Sequence, residues 1–171
     1  REHEVLAKSF DRNIDPDGAY DACEARLLQS WRSIWRTGND LARGFEDRDT
    51  LHAAKSFTEI VLTPEMRQGA IWDRSYAKPL GYPGDFEVMN QVYQWQKTGA
   101  NVYQKLLHRL GLDVAECIKT RMEMVLQAID AVVAEKGVHT AKILSLGSGP
   151  AREVELFLSK TALNGRRAEF T

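Results

Sequence analysis

Apolar residues recur at three- and four-residue steps from Tyr20 to Phe45, which is the spacing of one face of an amphipathic helix. The turn-forming residues Asp15, Pro16, Asp17 and Gly18 precede this segment. The pattern therefore predicts a helix over residues 20–45 with one face in a core. The residues expected on that face are Ala22, Leu27, Leu28, Trp31, Ile34, Trp35 and Leu41.

Capping signals predict four further helices. Three of them are predicted over residues 49–61, 86–97 and 112–136. The fourth begins with Thr63 as N-cap and Pro64 at the first helical position. We expect Asp85 to cap the helix over 86–97 and Gly99 to end it, because aspartate accepts from free amides and glycine stops helices. In the last helix Asp113 is the predicted N-cap, with Glu116 completing a capping box.

After Gly137 the pattern changes from helices alone to strand, helix and strand. Residues 142–146 read as a short buried strand, 151–162 as a helix, Asn164-Gly165 as a turn and 167–171 as the next strand. This order is typical of the beginning of a β-α-β unit. We therefore predict a mainly α N-terminal helical region over residues 1–136, followed by the start of an α/β Rossmann-like domain over 137–171.

The turn between that first strand and its helix contains Gly147, Ser148, Gly149 and Pro150. Glycines leave no Cβ in the way of a ligand, Pro150 suits the first turn of the helix, and the helix N-terminus offers free N–H groups. Arg152 stands where a dinucleotide fingerprint has its third glycine, and a Gly-Lys-Ser/Thr ending is absent. The sequence thus favours neither NAD nor a P-loop nucleotide, and a tight turn that binds nothing remains an alternative.

The segment ILSLGSGPAREVE, residues 143–155, resembles the first motif of class I S-adenosylmethionine-dependent methyltransferases. In that family an apolar strand leads into GxG and the loop surrounds the methionine part of the cofactor. The resemblance implies that Gly147, Ser148 and Gly149 form the cofactor loop. It also implies that Ser145 contacts the cofactor, at a position where many members have an acidic residue.

A second segment, AKPLGYPGDFE at residues 77–87, is similar to a stretch that precedes the methyltransferase core in a bacterial group with a helical N-terminal region. Some members are labelled fatty-acid methyl ester biosynthesis proteins. The resemblance extends over roughly residues 70–171 and implies an incomplete Rossmann-like methyltransferase domain after the helices. It implies a cytoplasmic enzyme that transfers methyl groups from S-adenosylmethionine to a small-molecule or fatty-acid-like acceptor.

Further site candidates lie outside the glycine turn. The loop from Lys78 to Asp85 presents Tyr82, which we expect to contact the cofactor if the loop closes over it. Arg121 is a candidate for binding a carboxylate; simple packing of Tyr82 and a solvated Arg121 are the alternatives. A carboxylate acceptor needs no catalytic base, whereas a hydroxyl acceptor would need one, with Tyr82 or His108 as weak candidates.

Composition excludes several other classes. Lys and Arg number 23 against 24 Asp and Glu, so no basic field indicates nucleic acid, and no apolar run is long enough to insert into a membrane. The two cysteines lack a CxxC arrangement and fit a reducing cytoplasm. The four histidines lack ligand spacing, so no metal site is predicted.

The chain begins at Arg1 without a methionine and stops inside a predicted strand. We expect the remaining strands of the sheet to come from residues not present here or from another chain, and we expect these 171 residues alone to be inactive. Two other functions stay open. One is a helical protein-interaction module with a structural GxG turn, and the other is a Rossmann-like domain for a different nucleotide.

Overall fold

The computed structural model describes residues 16–136, 139–161 and 168–171. Its elements, in chain order, are α1 Pro16–Arg43, α2 Arg48–Phe57, a π-helical turn Thr58–Leu62, α3 Thr63–Met66, α4 Ala70–Ala77, α5 Phe86–Gln94, α6 Val102–Val114, α7 Glu116–Lys136, β1 Ala141–Ile143, α8 Arg152–Thr161 and β2 Ala168–Phe170. The predicted signals at Asp15, Gly137 and Asn164-Gly165 lie outside the described residues.

Packing divides the chain into two compact units. The helical unit comprises residues 1–83 and 95–114, and the α/β unit comprises residues 84–94 and 115–171. Helices α5 and α7 therefore belong to the same compact unit as the strands. The predicted domain boundary between residues 136 and 137 stays a prediction.

The core of the helical unit forms between α1 and α6. Tyr20 of α1 is buried against Val102 and Leu106, and Leu28 is buried against Leu107 and Leu110. Burial of such side chains stabilises a folded protein by about 1.5–3 kcal/mol each. A helix over residues 102–114 was not predicted from the sequence, although Asn101 Oδ1 caps its start by accepting from the Gln104 N–H at 2.9 Å.

Only the N-terminal half of α1 has the core face that the sequence predicts. Leu28 is buried, but Ile34 is 65% exposed and Leu41 is 62% exposed. The prediction was wrong for these residues because the buried partners on α6 reach no further along α1 than Leu28 and Trp31. Pro16 and Gly18 form the first turn of α1 rather than a turn before it, which suits proline because its missing N–H is not needed there.

The helix predicted over 112–136 is two helices in the structure. Asp113 lies inside α6, where its carboxylate pairs with Arg32 at 2.5 Å and with Arg109 at 3.8 Å. These ion pairs give Asp113 a tertiary role, so it does not cap α7. The N-terminus of α7 is at Glu116.

The predicted N-cap of α5 is confirmed, whereas the predicted C-terminal end of this helix is wrong. Asp85 Oδ1 accepts from the backbone N–H groups of Glu87 and Val88, each at 3.0 Å. The helix ends at Gln94 rather than near residue 97, because Trp95 takes a left-handed conformation with φ 51°. Gly99 therefore lies beyond the helix end.

The second and third predicted helices also have different ends. The second stops at Phe57, and the π-helical turn that follows closes with a bond from the Thr63 N–H to the Thr58 carbonyl. Thr63 is the first residue of α3 rather than its N-cap, and its hydroxyl donates to the same Thr58 carbonyl at 3.2 Å.

The α/β unit contains a two-stranded parallel sheet. Ala141, Lys142 and Ile143 pair with Ala168, Glu169 and Phe170, respectively. Buried Leu126, Ile129 and Val133 of α7 pack with Phe157 of α8 beneath this sheet, whereas the neighbouring Leu158 is 49% exposed. The structure thus shows a mainly helical chain with a small parallel sheet, in the predicted strand-helix-strand order.

His108 of α6 is buried in the helical unit, with 1% of its surface exposed. Its Nδ1 accepts from the backbone N–H of Ile71 at 3.2 Å, so Nδ1 carries no proton and the neutral ring is protonated at Nε2. Burial lowers the pKa of this imidazole. Burial therefore favours the neutral form of His108 in the folded protein.

This buried histidine predicts a pH-dependent stability. Below about pH 6.5 the unfolded chain protonates His108 while the folded protein does not, so the free energy of unfolding falls as the pH drops toward the lowered folded pKa. Urea unfolding of the wild type and of His108→Asn between pH 7.5 and 5 measures this dependence. The variant is expected to lose part of the slope, whereas the exposed-site control His52→Asn keeps it; equal slopes in all three would contradict the prediction.

Candidate functional site

The bend between β1 and α8 has left-handed backbone at three positions. Gly147 has φ 64°, Gly149 has φ 56° and Ala151 has φ 50°. Glycine takes this conformation readily, whereas other residues pay about 1–2 kcal/mol for it. The Ala151 carbonyl accepts from Val154 and Glu155, so α8 begins after Ala151 and Pro150 precedes the helix rather than standing in its first turn.

The glycine bend has an open face. A Cβ added to Gly147 would meet nothing within 4 Å. Within the described part of the chain, the backbone N–H groups of Gly147, Ser148 and Gly149 have no hydrogen-bond acceptor. Such N–H groups suit an anionic or strongly polar ligand group. The bend thus retains the donors that the sequence predicts for a cofactor loop.

The other side of the bend packs against α5. A Cβ on Gly149 would lie 3.2 Å from Met89 Sδ, so the backbone comes close to this side chain. Met89 lies in the first half of α5, whose start is fixed by the Asp85 cap. The motif around Asp85 and the glycine motif therefore meet through α5.

Tyr93 lies one helical turn after Met89 and connects α5 with α7 and α8. Arg121 of α7 and Glu153 of α8 both lie close enough to the Tyr93 hydroxyl to influence its pKa. Burial raises the pKa of Tyr93, Glu153 raises it further, and the charge and hydrogen bond of Arg121 lower it. Arg121 and Tyr93 offer hydrogen-bond donors of the kind that bind carboxylates.

The first turn of α8 is acidic. It contains Glu153 and Glu155, and Glu155 pairs with Arg152 at 2.5 Å. Carboxylates at a helix N-terminus offset its positive dipole and repel further negative charge. The site is therefore poorly suited to a polyphosphate and better suited to a ligand with little net negative charge.

The remaining predicted site residues occupy different environments. Ser145 is half-buried, and its N–H donates to the Thr171 carbonyl at 2.9 Å, which extends the parallel pairing. Tyr82 is exposed in the loop of the helical unit, and His108 has the contacts of a core residue. The structure thus places Arg121 and the glycine bend in the same α/β unit, while Tyr82 and His108 belong to the helical unit.

Sequence reasoning missed Met89, Tyr93 and Glu153. Met89 and Tyr93 are four residues apart on a helix whose cap was predicted, so their common face was readable from the spacing. Glu153 lies in the segment 143–155 that resembles the methyltransferase motif, near the polar start of the predicted helix. What the sequence did not supply was the packing of α5 beside the bend.

Two classes of site are not found in the described residues. No group of three or more His, Cys, Asp or Glu side chains is arranged to hold a metal ion there. No helix within residues 16–136 or 139–161 is long and apolar enough to cross a membrane.

Comparison with known proteins adds no assignment. Neither a protein-family model, nor a curated protein, nor a solved structure matches the chain. Function therefore has to be inferred from the chain's own residues.

Backbone geometry predicts opposite effects on stability for an alanine at Gly149 in the bend and an alanine at Gly38 on α1. Gly149→Ala is expected to lower the free energy of unfolding by about 1–2 kcal/mol or more, because it adds the left-handed penalty to a close contact with Met89. Gly38→Ala, in open space on α1, is expected to be neutral or to stabilise by about 0.5–1 kcal/mol. Denaturant unfolding measures both, and an unchanged or increased stability of Gly149→Ala would contradict the geometry.

Proposed function

We propose that this chain is part of an S-adenosylmethionine-dependent methyltransferase that acts on a small-molecule or fatty-acid-like acceptor. The observation that carries the proposal is the bend at Gly147 and Gly149, with its open face and with backbone N–H groups that donate to none of the described residues. It follows a parallel strand and precedes a helix, as in the Rossmann-like arrangement implied by the motif. This bacterial, cytoplasmic enzyme would belong to the group with a helical N-terminal region.

The charges around the bend support this cofactor over other nucleotides. S-adenosylmethionine has a sulfonium, an ammonium and one carboxylate, and it has no phosphate. Glu153 and Glu155 disfavour a polyphosphate but tolerate a positively charged ligand, while Arg121 and Tyr93 suit a single carboxylate. The same charges disfavour a Rossmann-like domain for NAD or ATP.

Each predicted cofactor residue has a proposed role. Gly147, Ser148 and Gly149 would hold the methionine part through backbone amides, with Ser145 at the start of the loop. Arg121 would bind the carboxylate, and Tyr82 stays a predicted contact from its loop. The cofactor supplies an electrophilic methyl group, so these residues mainly have to orient bound groups and exclude water.

No residue is assigned as a catalytic base. His108 suits that role poorly, because it is buried and its Nδ1 accepts from Ile71. Tyr82 is 49% exposed and remains a weak candidate. Methyl transfer to a carboxylate needs no base, which favours an acidic acceptor.

The second candidate function is a helical protein-interaction module in which the glycine bend is structural. The exposed apolar half of α1, with Ile34 and Leu41, favours this alternative. It requires no ligand at Gly147, so binding measurements separate it from the first proposal.

Isothermal titration calorimetry with S-adenosylhomocysteine, NAD and ATP tests the proposed function. We expect saturable binding of S-adenosylhomocysteine and none of NAD or ATP. Gly147→Val should weaken that binding at least about tenfold, or about 1.4 kcal/mol, because the side chain fills the open face and strains the bend.

Gly38→Ala, in open space on α1, is the control and should bind like the wild type. Circular dichroism confirms that each variant is folded. Tighter binding of NAD or ATP would contradict the cofactor assignment, and a folded protein that binds none of the three ligands would favour the interaction module.

A further inference from the structure

The helical unit contains a cavity of about 570 Å³. Residues from α1, the π-helical turn, α3 and α4 line it, and its aromatic and apolar lining includes Trp31, Trp35, Leu62, Met66, Trp72 and Tyr76. Small-molecule sites typically have volumes of about 300–1,000 Å³ and mainly apolar walls. The cavity therefore has the size and lining of a ligand site.

The aromatic rings form a packed wall rather than isolated surface groups. The ring centroids of Trp31 and Trp35 are 5.7 Å apart, and those of Trp31 and Trp72 are 6.2 Å apart in an edge-on arrangement. Trp72 is fixed further because its Nε1 donates to the Leu107 carbonyl at 2.9 Å. A preformed wall of indole rings favours flat aromatic ligands, which pack by stacking or edge contacts with little loss of freedom.

Part of this wall stays in contact with water. Trp35 is 47% exposed and Tyr76 is 51% exposed, although both line the cavity. A bound ring would cover this apolar surface, and each Å² removed from water contributes about 25 cal/mol.

The charge of the lining defines the ligand further. The two charged residues that line the cavity, Arg67 and Lys78, are both basic. Arg67 pairs with Asp73 at 2.7 Å and lies over the Tyr76 ring, so its charge is partly offset. Lys78 is exposed at the C-cap of α4 and leaves a net positive charge on the rim. Aromatic walls alone would also accept a cation, but these two charges oppose one.

We propose that this cavity binds a planar aromatic molecule with a single negative charge, such as an aromatic carboxylate. The ring packs against Trp31 and Trp35, and the anionic group faces Lys78. Ligand binding in this cavity is independent of the proposed methyl transfer, because the glycine bend takes no part in it.

Calorimetric titration of the 171-residue chain with 2-naphthoate tests the ligand class. We expect saturable binding of one molecule per chain. Naphthalene-2-trimethylammonium, with the same ring and the opposite charge, should bind about fivefold more weakly, consistent with a partly exposed charge contact. Decanoate has the same charge on a flexible chain and should also bind more weakly; tighter binding of either competitor would overturn the proposal.

Two variants locate the binding. Trp35→Ala should weaken 2-naphthoate binding about tenfold, and Lys78→Gln should remove the preference for the anion over the cation. The matched controls are Phe57→Ala, which removes an exposed aromatic ring outside the cavity, and Lys55→Gln on α2. Gly147→Val should bind 2-naphthoate normally, which separates a failure here from a failure of the methyltransferase proposal.

The remaining outcomes are decisive as well. If the folded chain shows no saturable naphthoate binding, or if Trp35→Ala and Phe57→Ala have equal effects, the proposal is wrong. Sedimentation at the titration concentration detects a second copy on this surface. A dimer that Trp35→Ala dissociates, together with absent naphthoate binding, would identify the surface as a self-association site instead.

Discussion

The left-handed backbone at Gly147 and Gly149 is the constraint on which the proposed site depends. It turns the chain from β1 into α8 and leaves the bend open on the Gly147 side. On the other side, the missing Cβ of Gly149 lets Met89 come close. A side chain at either glycine would have to accept strain, and at Gly149 it would also press against the Met89 side chain of α5. The conformation that makes the turn possible also leaves backbone amides available to a ligand.

Local signals predicted the elements better than their packing. The Asp85 cap and the strand-helix-strand order follow from short-range chemistry, and the structure has both. Asp113 has an equally good local capping pattern, yet its ion pairs with Arg32 and Arg109 place it inside α6. The exposed end of α1 shows the same limit, because periodicity marks an apolar face without showing how far a partner helix extends along it.

The candidate site was predictable to a similar extent. The glycine loop and Arg121 were readable from the sequence, because a motif and a helix face identify them. Tyr93 became visible only through the proximity of its hydroxyl to Arg121 and Glu153, which lie on two other helices. The aromatic cavity likewise depends on tertiary packing, since Trp31 and Trp72 are far apart in the chain and touch only after folding.

The central claim is that the amides of the glycine bend bind S-adenosylhomocysteine, the demethylated form of the cofactor. The most direct measurement is a ¹⁵N–¹H NMR titration of the chain with this compound, with the amides of Gly147, Ser148 and Gly149 assigned. The account predicts saturable shift changes that are largest at these three amides. Unchanged shifts at the bend under saturating ligand, in a folded protein, would contradict it.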